Sequence, residues 1–275
     1  MHKIDMTKSS NISDNNRKVR SAVFAGTWYP GNSTKLEATI KKYITNAKSP
    51  ELKDKLKAII VPHAGYFYSG QIAAHAFKAI DKNYKNVFLL GPSHRYPLKN
   101  ASIMNVTHYS TPLGEIPLSP IAKKLLDSPI IDSINIAHEN EHSLEIELPF
   151  LQVQLESFEL IPILVGDIDS SKFQTTLQKH LKPKDLIVVS ADLSHFHPYD
   201  TAKELDTFTI NTIMNLDSKN IFQAEIDAPH AVSTLLKIAK DNGWTPILLS
   251  SGNSGDISGE KDEVVGYCAI GFTGN

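Results

Sequence analysis

Cysteine is nearly absent from this sequence: Cys268 is the only one in 275 residues. A single thiol excludes an internal disulfide and any cysteine-cluster metal site. A basic excess is missing too. The 28 Lys and Arg residues stand against 30 Asp and Glu, a net charge of −2, which argues against broad nucleic-acid or anionic-membrane binding. No run approaches the ~18 consecutive apolar residues of a membrane span. Residues 1–18 lack an apolar core, so they read as a polar tail and not as a secretory signal. With a lone thiol, the cytoplasm is the simplest compartment to expect. Apolar types still make up 41% of the chain, which excludes wholesale disorder.

What the chain does contain is a series of short apolar runs. They are Ala58–Val61, Val87–Leu90, Leu160–Val165, Leu186–Val189, Pro246–Leu249 and Val264–Ile270. Pro162 suggests an edge or a bulge in the third. Helical spacing lies between them, near 33–46, 69–81, 118–127, 143–156, 170–181, 200–215 and 229–242, with Ser33 as a candidate cap for the first. Strands alternating with helices predict one layered α/β domain over 19–275, with a central mixed or parallel sheet flanked by helices. Gly252–Asp256 reads as a glycine-rich lid or a plain connection. His75 falls inside a helix and Cys268 inside the last strand.

Eleven histidines are many for this length, and three follow apolar runs directly. His63 stands in Val61-Pro62-His63-Ala64-Gly65-Tyr66, His94 in Gly91-Pro92-Ser93-His94, and His195 in Ala191-Asp192-Leu193-Ser194-His195. Ligands of open α/β sheets bind beyond the carboxyl ends of the strands, so the three can meet in space. Neutral imidazole ligates a metal or trades protons near neutral pH.

His138-Glu139-Asn140-Glu141-His142 matches the zinc-protease pattern H-E-x-x-H, which works only on a helix. Ile134-Asn135-Ile136 alternates like a strand just before it, and the next helix is expected to start near Ser143. The preferred reading therefore sends His142 and Glu145 toward the pocket from a helix N-terminus. Asp192 has two readings: it accepts a histidine's second N–H, or it closes its own turn. His197 points either inward or to solvent. Asp227 reads from composition as the N-cap of the 229–242 helix.

The motifs together resemble the Memo family, including the AmmeMemoRadiSam system protein B group. The blocks are Ala25-Gly26-Thr27-Trp28-Tyr29-Pro30, Pro62–Tyr66, Gly91–His94, Thr111–Gly114, Glu141-His142-Ser143-Leu144-Glu145, Ser190–His195 and Asn253–Asp256 with Val264–Tyr267. The resemblance implies a fold shared with class III extradiol dioxygenases. It implies His63 and His94 as metal ligands and His195 as the acid–base group, with His142 and Asp192 positioning the reacting groups. It sets Asp227 where animal Memo proteins carry a cysteine ligand and the dioxygenases a glutamate, with Glu225 and His230 as substitutes. A mononuclear Fe(II) is the expected cofactor, with Zn(II) or Cu as alternatives. The implied role is iron-dependent redox chemistry on an unknown small molecule or modified substrate. The alternatives are a metal-dependent hydrolase and a non-catalytic metal- or peptide-binding protein. The family name further implies radical-SAM and Ammecr-like partner proteins.

Overall fold

The computed structural model of the chain describes residues 17–48 and 50–274, so the expected polar tail lies outside the described residues except for Arg17 and Lys18. In chain order the first half runs β1 (Val19–Arg20), α1 (Ser33–Asn46), β2 (Lys55–Val61), α2 (Tyr66–Lys78), β3 (Asn86–Pro92), β4 (Ala101–Ser102), β5 (His108–Thr111), β6 (Gly114–Pro117), α3 (Pro120–Leu125), β7 (Ile131–Asp132) and α4 (Asn135–Glu139). The second half runs α5 (Leu148–Gln154), β8 (Glu159–Val165), α6 (Ser170–Gln178), β9 (Asp185–Ser190), β10 (His195–His197), α7 (Tyr199–Met214), α8 (Pro229–Asp241), β11 (Thr245–Asn253), α9 (Gly255–Ser258) and β12 (Val264–Gly274).

The six apolar runs are strands of one mixed sheet, ordered β10-β12-β2-β9-β3-β8-β4-β7, with β11 also on β12. Its centre, β2-β9-β3-β8, is parallel. These four strands are buried on both faces, which is why they read as continuous apolar runs. Ile59, Val61, Leu89 and Val188 pack into one apolar layer with α1, α2 and α5. Ala58, Ile60, Phe88 and Ile187 pack into the other with residues of α6 and α8. Cys268 is fully buried in β12, where it pairs with Ser251 of β11. Among the described residues no helix is long and apolar enough to cross a membrane.

Several local expectations change. Asn32, not Ser33, caps α1: its side chain accepts from the Lys35 N–H at 3.0 Å. Pro162 is not on a sheet edge, because β8 lies between β3 and β4. It falls between the Leu118–Leu160 bridge and the β4 pairing at Leu164 and Val165, so its missing N–H breaks no ladder bond there. The 252–256 segment is no loose loop: β11 runs through Asn253, α9 follows, and Asn253 is buried. His75 sits in α2 as expected, with Nδ1 3.3 Å from the Leu249 carbonyl.

The stretch expected as a strand at 134–136 opens α4 instead, and that helix ends at Glu139. His138 and His142 therefore share no helical face. His138 is buried beside Tyr109 and Ser102. Ser143 caps no helix: its hydroxyl donates to the Pro92 carbonyl, and its carbonyl accepts from Ser190. These tertiary bonds delay regular helix to α5, preceded only by a 3-10 turn at Glu145–Glu147.

Glu145 does not reach the pocket. It is fully buried and pairs with Arg20. It also accepts from the Val23 and Phe24 N–H groups and the Tyr29 hydroxyl. Arg20 donates in addition to the His138 and Glu141 carbonyls at 3.2 and 2.7 Å. This buried pair ties the N-terminal segment to the 138–145 stretch. Breaking such a pair leaves an uncompensated buried charge. Arg20→Met should therefore lower unfolding stability by about 3 kcal/mol in denaturant titrations. Arg20→Met combined with Glu145→Gln should lose less than the two single losses added. A single-mutant loss inside experimental error would show the pair to be energetically idle.

Candidate metal centre

The strand order β2-β9-β3 makes neighbours of the three segments that carry His63, Asp192 with His195, and His94. All of these side chains line one pocket of about 750 Å³, together with His142 and Trp28. Exposed Phe67, Tyr68 and Phe196 stand at its mouth.

His63 leaves β2 as an almost completely buried ring. Its Nδ1 lies 2.8 Å from Ser190 Oγ and its Nε2 2.8 Å from Asp227 Oδ2. His94, beyond β3, has Nδ1 2.9 Å from Glu141 Oε1 and Nε2 3.3 Å from the same Asp227 Oδ2. Each ring is thus held by an oxygen at Nδ1 and presents Nε2 to one carboxylate oxygen. That is how metal-binding histidines are oriented by their outer partners.

Ser190 settles the proton at His63. Its Oγ contacts the Ser143 carbonyl at 2.6 Å, His63 Nδ1 at 2.8 Å and Glu147 Oε1 at 3.1 Å. A hydroxyl has one proton, and a carbonyl can only accept. Ser190 therefore donates to the Ser143 carbonyl, with Glu147 Oε1 as a second, longer acceptor, and itself accepts from His63 Nδ1–H. Burial pushes the Glu147 carboxyl up to about 8.

Asp227 is not the helix cap its position suggested. Ala228 is the N-cap residue of α8 and the helix has no side-chain cap, while Asp227 Oδ1 accepts from the Asp192 N–H at 3.1 Å. Burial opposes its charge, but His63 and His94 hold it far below the ordinary carboxylate range. The histidines respond in kind. Burial alone would lower both, yet Asp227 and Asp192 lift His63 to about 10, while Asp227 and Glu141 lift His94 to about 9. The field around these rings attracts positive charge, and a divalent cation is what two neutral Nε2 atoms and a carboxylate can hold.

The chemistry of this donor set fits a metal. The ligand-capable atoms of His63, His94 and His142 lie within 4.8 Å of one another, as do those of His63, Asp192 and Asp227. His142 stacks on His94 at 4.3 Å and contacts Trp28 at 4.4 Å. Burial and the charge on His63 push it down to about 3, so it is a neutral ring. Its buried Nδ1 makes no well-aligned hydrogen bond with a described residue, though Glu141 Oε1 lies 3.3 Å away.

Asp192 takes neither expected role in full: its Oδ1 accepts from the His63 backbone N–H at 2.8 Å, not from a ring. His195 Nδ1 lies 2.8 Å from the Leu193 carbonyl. That contact makes Nδ1 the protonated nitrogen and leaves Nε2 as the basic one. A register shift in β10 and the left-handed Phe196, at φ 60°, set its orientation. The two substitutes for Asp227 are engaged elsewhere. Glu225 pairs with His197 at 2.8 Å, and His230 Nδ1 meets the Ile168 carbonyl at 2.7 Å.

Sequence reasoning missed the roles of Glu141, Ser190 and Glu147. Glu141 accepts from the His94, His142 and Ser143 N–H groups as well as from the His94 ring. Burial opposes its ionisation, but the His94 bonds bring its carboxyl down to about 2. Its place beside His142 was a usable signal. Nothing in the apolar run around Glu147 marked it.

A family model described as Memo-like protein matches residues 20–271. A MEMO1 family protein of Methanosarcina mazei is 31% identical over 268 residues, covering 92% of this chain and 98% of its own. One from Sulfurisphaera tokodaii is 34% identical, with coverages of 92% and 99%. One from Aquifex aeolicus is 34% identical, with coverages of 93% and 99%. Among solved structures, an uncharacterized protein of Escherichia coli K12 superimposes with a TM-score of 0.51 at 13% identity, covering 79% of this chain and 99% of that one. At that identity the likeness extends to the fold.

Glu147 gives a signed test. Its folded-state pKa lies above its ordinary value of 4.5, so its stabilising protonation is complete below that value and is lost as pH rises through about 8. Glu147→Gln keeps an acceptor oxygen for Ser190 and is neutral at every pH. Thermal melts should place the variant level with the parent near pH 5 and above it near pH 8.5. A variant equally weaker at both values would mean that Glu147 is ionised in the fold.

Proposed function

Because the chain belongs to the Memo-like family, we propose that it carries a mononuclear divalent metal on His63, His94 and Asp227 and is an iron-dependent, dioxygenase-like redox enzyme. The observation that carries this reading is the convergence of His63 Nε2 and His94 Nε2 on one Asp227 oxygen, at 2.8 and 3.3 Å, with both Nδ1 atoms tied back. Two histidines and one carboxylate are the ligand set that leaves positions on Fe(II) open for further ligands. When bound, the ion would supply Lewis acidity and one-electron redox capacity.

The chain's own residues do the rest. His195 uses Nδ1–H on the Leu193 carbonyl, so its Nε2 takes a proton from a substrate hydroxyl and later returns it. Asp192 fixes the His63 loop through the backbone N–H. Neutral His142, packed between His94 and Trp28, walls the pocket without adding charge. Trp28, Phe67 and Tyr68 give the pocket apolar sides, which limit water around a bound substrate.

Metal analysis after anaerobic purification should find close to one ion per chain, mainly iron. Stoichiometric zinc with hydrolytic turnover would instead favour a metal-dependent hydrolase. His63→Ala, His94→Ala and Asp227→Ala should each lower occupancy sharply, while His195→Ala keeps the metal and loses turnover. Asp227→Cys should shift preference toward softer ions such as Cu(I), since thiolate selects them. Full occupancy in Asp227→Ala would remove the carboxylate from the ligand set.

The pH dependence is also fixed. His63 and His94 hold protons up to about 10 and 9 in the absence of a metal. An ion must displace those protons, so affinity should rise with pH between 6 and 8. Calorimetry in buffers of different ionisation heat should show release approaching two protons per ion. Binding without proton release would place the ion elsewhere.

A further inference from the structure

The opposite end of the same sheet holds a second cavity, of about 430 Å³, lined by Lys57, Gln178, Lys182, Asp185, Asn242 and Trp244 among others. It lies at the amino ends of β2 and β9. From Lys57 to His63 the chain advances about 20 Å at the ordinary strand rise, so the two cavities are well separated.

Lys57 is the unusual residue. It belongs to β2 and is 8% exposed. A lysine so buried ordinarily has a partner. Yet the Lys57 side chain makes no hydrogen bond or ion pair with any described residue, and its Nζ is not sealed from solvent. The stem is therefore buried while the amine opens into the cavity.

The backbone is built to aim it there. Phe272 of β12 pairs with Ala58, but the next residue, Thr273, pairs with Leu56. Lys57 is the extra residue of this bulge. Leu56 faces the apolar layer of α1 and α2, and Ala58 faces the layer of α6 and α8. Bulges redirect a side chain in this way, and they recur beside binding sites.

The one carboxylate in the lining is already committed. Asp185 Oδ1 accepts from Asn86 Nδ2 at 2.8 Å and Oδ2 from the Lys182 N–H at 2.9 Å. It closes the turn at 182–185 and makes no ion pair with Lys57. Lys182 adds a second ammonium, Gln178 and Asn242 add amides, and the half-buried Trp244 offers an indole face.

We propose that this cavity is a second ligand site, distinct from the metal centre, that takes a small flat organic anion, with its carboxylate or phosphate on Lys57 and Lys182 and its ring against Trp244. Ammonium groups supply the charge, and burial of the Lys57 stem makes its contact stronger than that of an exposed lysine. The proposal does not depend on which metal the other pocket holds.

The test uses the full chain carrying Trp28→Phe, which leaves Trp244 as the only indole. Benzoate and phenyl phosphate are titrated against Trp244 fluorescence, with benzyl alcohol as the neutral control. Saturable binding of an anion and none of the alcohol is expected. The tighter of the two anions identifies the preferred head group. Lys57→Met should weaken that anion by roughly tenfold or more, and Lys57→Arg should retain part of the affinity. Lys57→Met should leave the melting temperature without ligand close to the parent's, because the buried stem is kept and the lost amine faced the cavity. Three results would overturn the proposal: no saturation by either anion up to about 10 mM, equal binding of the alcohol, or unchanged anion affinity in Lys57→Met. A Lys57→Met chain that melts earlier and binds as before would make Lys57 a structural residue.

Discussion

A carboxylate taken out of water must be surrounded by donors, and that requirement organises the carboxyl edge of this sheet. Asp227, Glu141, Asp192 and Glu145 are buried or nearly so, and the loops beyond the strands supply their N–H groups. Asp192 takes the N–H of His63, Asp227 takes that of Asp192, and Glu141 takes those of His94, His142 and Ser143. The bonds from His63, Asp192 and His94 join segments far apart in sequence, whereas those from His142 and Ser143 close the loop of Glu141 itself. The imidazoles are placed because the backbones that carry them are held this way. The pocket's geometry is thus a by-product of satisfying buried negative charge.

The same requirement separates what the sequence makes legible from what it hides. Strands buried on both faces need unbroken apolar runs, so Ala58–Val61 and Leu186–Val189 announce themselves. The turn chemistry after each run points to His63, His94 and His195. Short strands such as β4, β7 and β10 depend on a neighbour and carry no pattern of their own. Ile134–Ile136 alternates as a strand would, yet it forms a helix because Arg20 and Ser102 hold that region by tertiary bonds. Asp227 sits where a helix cap belongs, and only the fold reveals that its oxygens face two imidazoles. Glu147 was illegible for the opposite reason: as a neutral acid it needs no charged partner, so nothing nearby in sequence betrays it.

The two ends of the parallel strands are also dressed differently. The carboxyl ends gather carboxylates and imidazoles into a field that draws cations. The amino ends of β2 and β9 bring Lys57 and Lys182 to a cavity whose single carboxylate is consumed by its own turn. In each case a departure from regular strand geometry, at β10 or in β2, turns the decisive side chain.

Cys268, the chain's only thiol, lies inside β12, opposite Ser251 of β11 and two residues before β12 begins its pairing with β2. Burial raises its pKa far above that of an exposed thiol. An alkylating reagent reacts with thiolate, so in the native state it has nothing to attack. Modification must wait until β12 parts from its neighbours, an event that dismantles the sheet. The rate of alkylation is therefore a clock for opening of the core, built into the native sequence at a single atom.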